Sequence, residues 1–288
     1  MAPSTHRAYQ QGVSAFEEFC DQFGLSKSLP VDENIIQNFV AYLSLQGKSF
    51  STVRTYLAGL SSKHKLNGFS DPTGSFLVKK VMKGLSRDKK TKDSRFPITF
   101  QKLQELVNTL PLVCSDTYES TLFVAAFSLA FFGLLRISEL LGQDSSFING
   151  RPGIQVSDIQ RLSNKLHINI VGSKTDQERI GEVICLEQVV SHPDLCPVLS
   201  TKQLLDKIPS HSGSLLIHND GSKLTRYQFQ AVLKKSVKFL GWNCKGFTSH
   251  SFRIGAATTA AMNGVSKEVL MKMGRWKSDA VKSYIRPI

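Results

Sequence analysis

A chain of 288 residues is long enough to bury two domain-sized cores, and 36 basic against 23 acidic residues, a formal charge of +13, point to a polyanionic partner. The five cysteines (Cys20, Cys114, Cys185, Cys196, Cys244) are scattered with no C-x-x-C pair, a pattern that suggests neither a disulfide framework nor a zinc site and fits a reducing intracellular compartment. The start, MAPSTHRAYQQ, has no apolar signal core, and the most apolar run, Leu122 to Leu135, is 14 residues against the ~20 that span a bilayer.

Residues 4–92 read as all-helical. Ser4 and Thr5 can cap a helix whose apolar positions Tyr9, Val13, Phe16, Phe19, Cys20 and Phe23 recur at three and four, ending at Gly24. A second helix begins near Val31 and Asp32, shows Ile35, Ile36, Phe39, Val40 and Leu43 on one face, and stops at Gly47. Ser51 is placed to cap a third, and after a turn at Asp71-Pro72 comes a fourth, FLVKKVMKGLSR. Four helices with short connections make a small bundle. Lys48, Arg54, Lys63, Lys65, Lys79, Lys80 and Lys83 mingle there with serine and threonine hydroxyls, a mixture that can hold phosphates.

The segment RDKKTKDSRFP, from Arg87 to Pro97, has the composition of an exposed linker and divides the chain into domains at 1–92 and 93–288; its Lys89 and Lys90 could lie along a DNA backbone. Beyond it, Thr99 or Phe100 starts a helix, the apolar run reads as a buried helix, and GLLRISELLG follows. Ile154, Val156 and Ile159, then LHINIV, then EVICL read as a small antiparallel sheet, with Lys174 in the loop between its second and third strands. Pro197 suits a helix's first turn, Leu215 to Ile217 a short strand, and Thr225 with Gln228 a capping box for a helix reaching Leu240. The remainder reads as helices 249–262 and 266–273 and a last helix from about Ser278. The fold class is therefore mainly α with one small antiparallel β-sheet.

The charge is segregated along this plan: residues 1–96 hold 14 basic and 8 acidic groups, residues 97–222 hold 9 and 13, and residues 223–288 hold 13 and 2. Two basic ends around a more neutral middle would suit closure around a nucleic acid. The stretch Ser249 to Arg286 concentrates the candidate chemistry. Arg253 can grip two phosphate oxygens, His250 can move a proton near neutral pH, and Tyr284 can act as a covalent nucleophile. Arg136 adds a second arginine, with Glu139 three residues on.

Taken together, GLLRISELL, the hairpin Lys174, His250-x-x-Arg253, Gly274-Arg275-Trp276 and Tyr284 resemble, in order and spacing, the tyrosine recombinase (phage integrase) family. The resemblance covers about 97–286, and residues 1–92 resemble, more weakly, the family's helical, SAM-like core-binding domain. GRWKSDAVKSYIR is most similar to recombinases of eukaryotic mobile elements, the Crypton and DIRS-type groups, where tryptophan stands in place of a bacterial histidine. Seven residues separate Trp276 from Tyr284, one fewer than the bacterial pattern.

This resemblance implies a site-specific recombinase or integrase of a mobile element, or else a non-catalytic DNA-binding descendant. Tyr284 would attack a scissile phosphate to give a 3′-phosphotyrosine and a free 5′-hydroxyl, without metal, ATP or other cofactor. Arg136 and Arg253 would hold the non-bridging oxygens, His250 would assist proton movement, Trp276 would donate its indole N–H, and Lys174, with Arg179 as a competitor, would protonate the leaving oxygen. Glu139 would support Arg136 or His250. Lys48, Arg54, Lys63, Lys79, Lys80, Lys83, Lys89, Lys90, Arg275 and Lys277 would contact double-stranded DNA, with a homotetramer on two duplexes. The family further implies an intracellular, non-membrane protein, nuclear if eukaryotic and otherwise cytoplasmic. Only four residues follow Tyr284, so the tyrosine-bearing helix is exchanged between subunits, or subunit contacts arise elsewhere, or the sequence is truncated.

Overall fold

A computed structural model describes residues 3–88, 93–142, 153–171 and 181–287. The chain divides into two compact units, Met1–Asp93 and Ser94–Ile288. Among the described residues no helix is long and apolar enough to cross a membrane.

The first unit holds α1 (Pro3–Phe23), α2 (Glu33–Leu45), α3 (Phe50–Leu66) and α4 (Phe76–Asp88). Asp32 caps α2 by accepting from the Asn34 amide, and the helix gives way to Gly47 at φ 74°, the left-handed turn that glycine adopts without strain. Phe16, Phe19, Ile36, Phe39, Val40 and Leu60 are buried in a shared core, as their three- and four-residue spacing requires. Two helix starts differ from the sequence expectation. α1 is already under way at Pro3, ahead of Ser4 and Thr5. Ser49, not Ser51, caps α3, because its hydroxyl accepts the Thr52 amide at 3.2 Å; Ser51 lies inside the first turn.

The second unit is organised around α6 (Thr117–Phe132), which is apolar on every side and accordingly buried. Around it lie α5 (Phe100–Val113), α8 (Pro197–Leu205) and α10 (His250–Met262), with α9 (Arg226–Phe239) packed on α5. The short α7 (Ile137–Leu140) follows α6, and α11 (Lys267–Gly274) follows α10. β1 (Ile159–Arg161), β2 (Lys165–Ile170) and β3 (Glu182–Glu187) form an antiparallel sheet in that order, with Leu166 opposite Leu186 and Ile168 opposite both Ile159 and Ile184. The expected capping box is present: the Thr225 amide donates to Gln228 Oε1 at 2.9 Å and the Gln228 amide to Thr225 Oγ1 at 3.2 Å.

The strand starts and the last helix depart from the sequence reading. Val156 to Asp158 form a 3₁₀ turn, so β1 begins only at Ile159, and in place of a strand at Leu215 to Ile217 there are only isolated bridges, at Ser214 and Ile217. Asp279 to Tyr284 wind as a 3₁₀ helix, not an α-helix.

The placement of α10 depends on a glycine. A Cβ at Gly255 would sit 1.6 Å from the Ile98 carbonyl oxygen, so only glycine lets this helix lie against residues 96–100. Two bonds lock the contact, Ile98 N–H to Ser251 O (3.0 Å) and Phe100 N–H to Thr259 Oγ1 (3.2 Å), and Phe96 N–H to Gly246 O (2.9 Å) extends it to the turn before α10.

Candidate active site

The site forms where the turn after α6 meets the first turn of α10 and the C-terminal end of α11. α6 ends at Gly133; Leu134 then takes a left-handed conformation, φ 44°, and Arg136 becomes the residue that opens α7. Glu139, in the first turn of α7, reaches back to Arg136 twice: Oε2 accepts its amide at 2.9 Å and Oε1 its guanidinium at 2.6 Å. The carboxylate is 3% exposed, whereas the Arg136 side chain keeps 19% exposure. Burial alone would raise the Glu139 pKa, but Arg275 and the Arg136 amide and guanidinium hold it below the usual carboxylate value.

At the start of α10, Gln230 of α9 acts as a brace. Its amide nitrogen donates to Phe247 O at 3.1 Å and its oxygen accepts the Ser249 amide at 2.9 Å. His250 is half-buried, with its amide on Thr248 Oγ1. One turn on, Arg253 is fully buried, and its terminal nitrogens donate to the carbonyl oxygens of Leu134 and Gly274. Its guanidinium carbon lies 4.4 Å from the Trp276 ring centre and 5.4 Å from that of Tyr284. Desolvation, followed by the charges of Arg136 and Arg275, pushes the Arg253 pKa down to about 10, with Glu139 opposing. The group is therefore still cationic at neutral pH.

Trp276 is buried, its ring folded onto Gly274, where an added Cβ would meet the indole at 1.9 Å. Tyr284 completes the enclosure, 4.8 Å from the Trp276 ring and 5.0 Å from the His250 ring, centre to centre. Thr258 of α10 holds this last segment from behind, donating to Tyr284 O at 3.2 Å and accepting the Arg286 amide at 3.1 Å. Among the described residues, Arg253 Nε, Trp276 Nε1 and Arg275 Nε are buried donors without a partner.

Arg136, Glu139, His250, Arg253, Trp276 and Tyr284 thus converge. Lys174 and its competitor Arg179 lie outside the described residues, as do Lys89 and Lys90. Lys48, Arg54, Lys79, Lys80 and Lys83 are exposed on the first unit; Lys63 is half-buried and paired with Glu17 at 2.7 Å. Lys277 is exposed on the second unit. Arg275 departs from its expected DNA-contact role: its side chain is 2% exposed and pairs with Glu139 at 2.8 Å. Glu139 therefore bridges two arginines. Sequence reasoning also missed Gln230 and Thr258, whose roles rest on contacts with residues far along the chain.

Three guanidinium groups, at Arg136, Arg253 and Arg275, face one carboxylate, Glu139, leaving two positive charges without a counterion from this group. A buried excess of that kind, with donors left over, favours an anion.

The model described as the phage integrase family matches residues 97–287, and that of the phage integrase N-terminal SAM-like domain matches residues 1–66. An integrase/recombinase xerD homolog of Selenomonas ruminantium is 27% identical over 290 residues, covering 96% of this chain and 80% of the relative. The fold is similar to that of the XerH site-specific recombinase bound to a palindromic difH substrate in a post-cleavage complex, with a TM-score of 0.70 and 16% identity over 96% of this chain and 75% of that one. It is also similar to a lambda integrase tetramer bound to a Holliday junction, with a TM-score of 0.67 and 13% identity over 99% and 72%.

Proposed function

The chain belongs to the phage integrase family, and from that premise we propose that it is a site-specific DNA recombinase acting through a covalent tyrosyl intermediate. The observation that carries the reading is the buried Arg253 cation beneath the ring of Tyr284, within reach of the Arg136 charge, with unpartnered donors on Arg253 and Trp276. A scissile phosphate supplies the missing negative charge and accepts those donors. Charge that builds on its oxygens in the transition state then meets donors already in place.

In the step itself, the Tyr284 phenolic oxygen forms a bond to phosphorus while the bond from phosphorus to the 5′-oxygen breaks. The phenolic proton passes towards His250, and the 5′-oxygen takes up a proton, for which Lys174 is the proposed donor. A second 5′-hydroxyl reverses the step and joins new partners. Each bond broken is replaced by one of the same kind, so the reaction needs no external energy source. The first unit, matched to the SAM-like domain, would hold the duplex with Lys48, Arg54, Lys63, Lys79, Lys80, Lys83, Lys89 and Lys90, and Lys277 would do so from the second. The likeness of GRWKSDAVKSYIR to mobile-element recombinases supports action on such an element, in the nucleus where the host is eukaryotic, and the family supports a tetramer on two duplexes.

The test uses duplexes recovered from a randomised pool by binding to the wild-type protein and then nicked, so that a cleaved end diffuses away. Wild type is expected to yield a protein–DNA adduct on a denaturing gel and Tyr284→Phe none, with binding retained. Binding without any adduct from wild type would replace the enzyme with a non-catalytic DNA-binding protein.

A further inference from the structure

We infer that Arg275 is a positioning residue for strand transfer: by taking up Glu139 it orients Arg136 while leaving that arginine's charge available to the phosphate. The inference rests on the recombinase reading and names a regulator of the same site.

Arg275 occupies a position that its backbone does not favour. It ends α11 at φ 55°, ψ 43°, the left-handed cap where glycine or asparagine is the unstrained choice. The glycine next door, Gly274, cannot serve, because its missing Cβ is already required by the Trp276 ring. An arginine held there must be retained by its side chain. That side chain is nearly inaccessible, and four bonds account for it: Nη1 donates to Gly133 O (3.2 Å) and Met273 O (3.4 Å), and Nη2 to Leu134 O (3.4 Å) and Glu139 Oε2 (2.8 Å). What sets Arg275 apart from the equally buried Arg253 is its ion pair with Glu139, and a simple helix cap would need none of these contacts.

What Arg275 holds is the approach to Arg136. Gly133 and Leu134 form the turn that delivers Arg136, and the Leu134 carbonyl is shared with Arg253. One oxygen therefore fixes both proposed phosphate-binding arginines relative to each other. Glu139 adds the electrostatic part. With Arg275 present, the carboxylate is divided between two arginines; without it, Glu139 would pair with Arg136 alone and neutralise the charge meant for the DNA.

The charge reading predicts a pattern that packing alone does not. Arg275→Gly suits the backbone and is expected to slow adduct formation roughly tenfold or more, short of the ~100–1000-fold lost with a direct transition-state donor. Affinity for the same nicked duplexes should stay within about threefold, since the Arg275 charge is paired with Glu139 and not offered to the DNA. Adding Glu139→Gln removes the carboxylate that would capture Arg136, so the double variant should be faster than Arg275→Gly alone. Should Arg275→Gly fail to fold, Arg275→Lys takes its place: the charge remains, the forked contact is lost, and an intermediate rate at unchanged affinity is expected. Wild-type rate in the substituted protein overturns the inference while the recombinase reading stands. So does a double variant whose losses multiply, which would make Arg275 a packing residue only. Absence of adduct from wild type itself removes both.

Discussion

Replacing Gly255 by alanine should separate the scaffold of the site from the DNA surface. The added Cβ would lie 1.6 Å from Ile98 O and 2.2 Å from Ile98 C, both backbone atoms that no rotamer change can move aside. Restoring an ordinary contact of ~3.5 Å requires α10 to withdraw by about 2 Å. That withdrawal stretches the Ile98 N–H to Ser251 O bond and carries Arg253, two residues away, off the Leu134 and Gly274 carbonyls. Overpacking of this kind costs about 1–3 kcal/mol, and the weakened hydrogen bonds add roughly 1 kcal/mol each, more for those of a charged group. A loss of about 3–5 kcal/mol is expected. Trp242 and Trp276 are the two tryptophans of the chain and both belong to the second unit, so fluorescence in a urea titration of the full chain reports this unit selectively. Adduct formation should fall on the order of 100-fold, because misplacing a reacting group by 1 Å costs that much. Gly84→Ala, inside α4 with nothing within 4 Å of the added Cβ, is the control: it should leave the fluorescence transition of the second unit unchanged and, by amide hydrogen exchange in α4, be neutral or stabilise by roughly 0.5–1 kcal/mol. A Gly255→Ala protein that melts and reacts like wild type would refute the placement of α10.

Binding to the selected duplexes should weaken steeply as salt rises, the logarithm of affinity falling linearly with the logarithm of salt; a flat plot would contradict the basic ends of the chain. Because the Tyr284 ring lies over Arg253 of its own chain, mixing Tyr284→Phe with Arg136→Ala protein should give no adduct, and a restored adduct would show delivery between subunits. Asp71 accepts from Ser61 at 2.6 Å, Thr73 Oγ1 at 2.6 Å and Lys65 at 3.2 Å. Although burial pushes its pKa up, these bonds lower it from 3.8 to about 2, so it stabilises the fold above pH ~4 and that contribution disappears as pH falls through about 2. Asp71→Asn should therefore lose on the order of 1–2 kcal/mol at pH 6 and converge on wild type near pH 2, read from amide hydrogen exchange in α3; a pH-independent gap would reject the assignment.

Local patterns carried most of the fold. The all-round apolar run of α6, the Thr225–Gln228 capping box and the alternation in β2 each depend on neighbours within a turn or a strand, so the chain displays them directly. The converging residues were legible because the family motif gives their order. Arg275 was not, since its burial requires a left-handed cap at its own position and carbonyls about 140 residues earlier. Its sequence context, one more cation in a basic segment, suggested a surface contact. The misplaced cap at Ser51 has a smaller cause: Ser49 and Ser51 both flank the helix start, and only the backbone shows which hydroxyl meets an amide two or three residues on.

The 3₁₀ winding of Asp279 to Tyr284 would offset the one-residue shortening after Trp276 that the family resemblance implies. Relative to the bacterial pattern, one missing residue would rotate the tyrosine about 100° around an α-helix and pull it back by about 1.5 Å. A 3₁₀ helix turns about 120° per residue and rises about 2.0 Å. Over the five steps from Asp279 to Tyr284, the extra winding of about 20° per step sums to about 100°, and the extra rise to about 2.5 Å, which offsets the deletion in phase and more than offsets it in length. The ends of the segment are fixed independently. Ser278 accepts the Ala280 amide at 3.4 Å, Asp279 pairs with Lys267 at 2.6 Å and Lys282 at 2.8 Å, and Thr258 meets the Tyr284 carbonyl at 3.2 Å. With both ends set by α10 and α11, an overwound path brings the tyrosine ring onto Arg253 and Trp276.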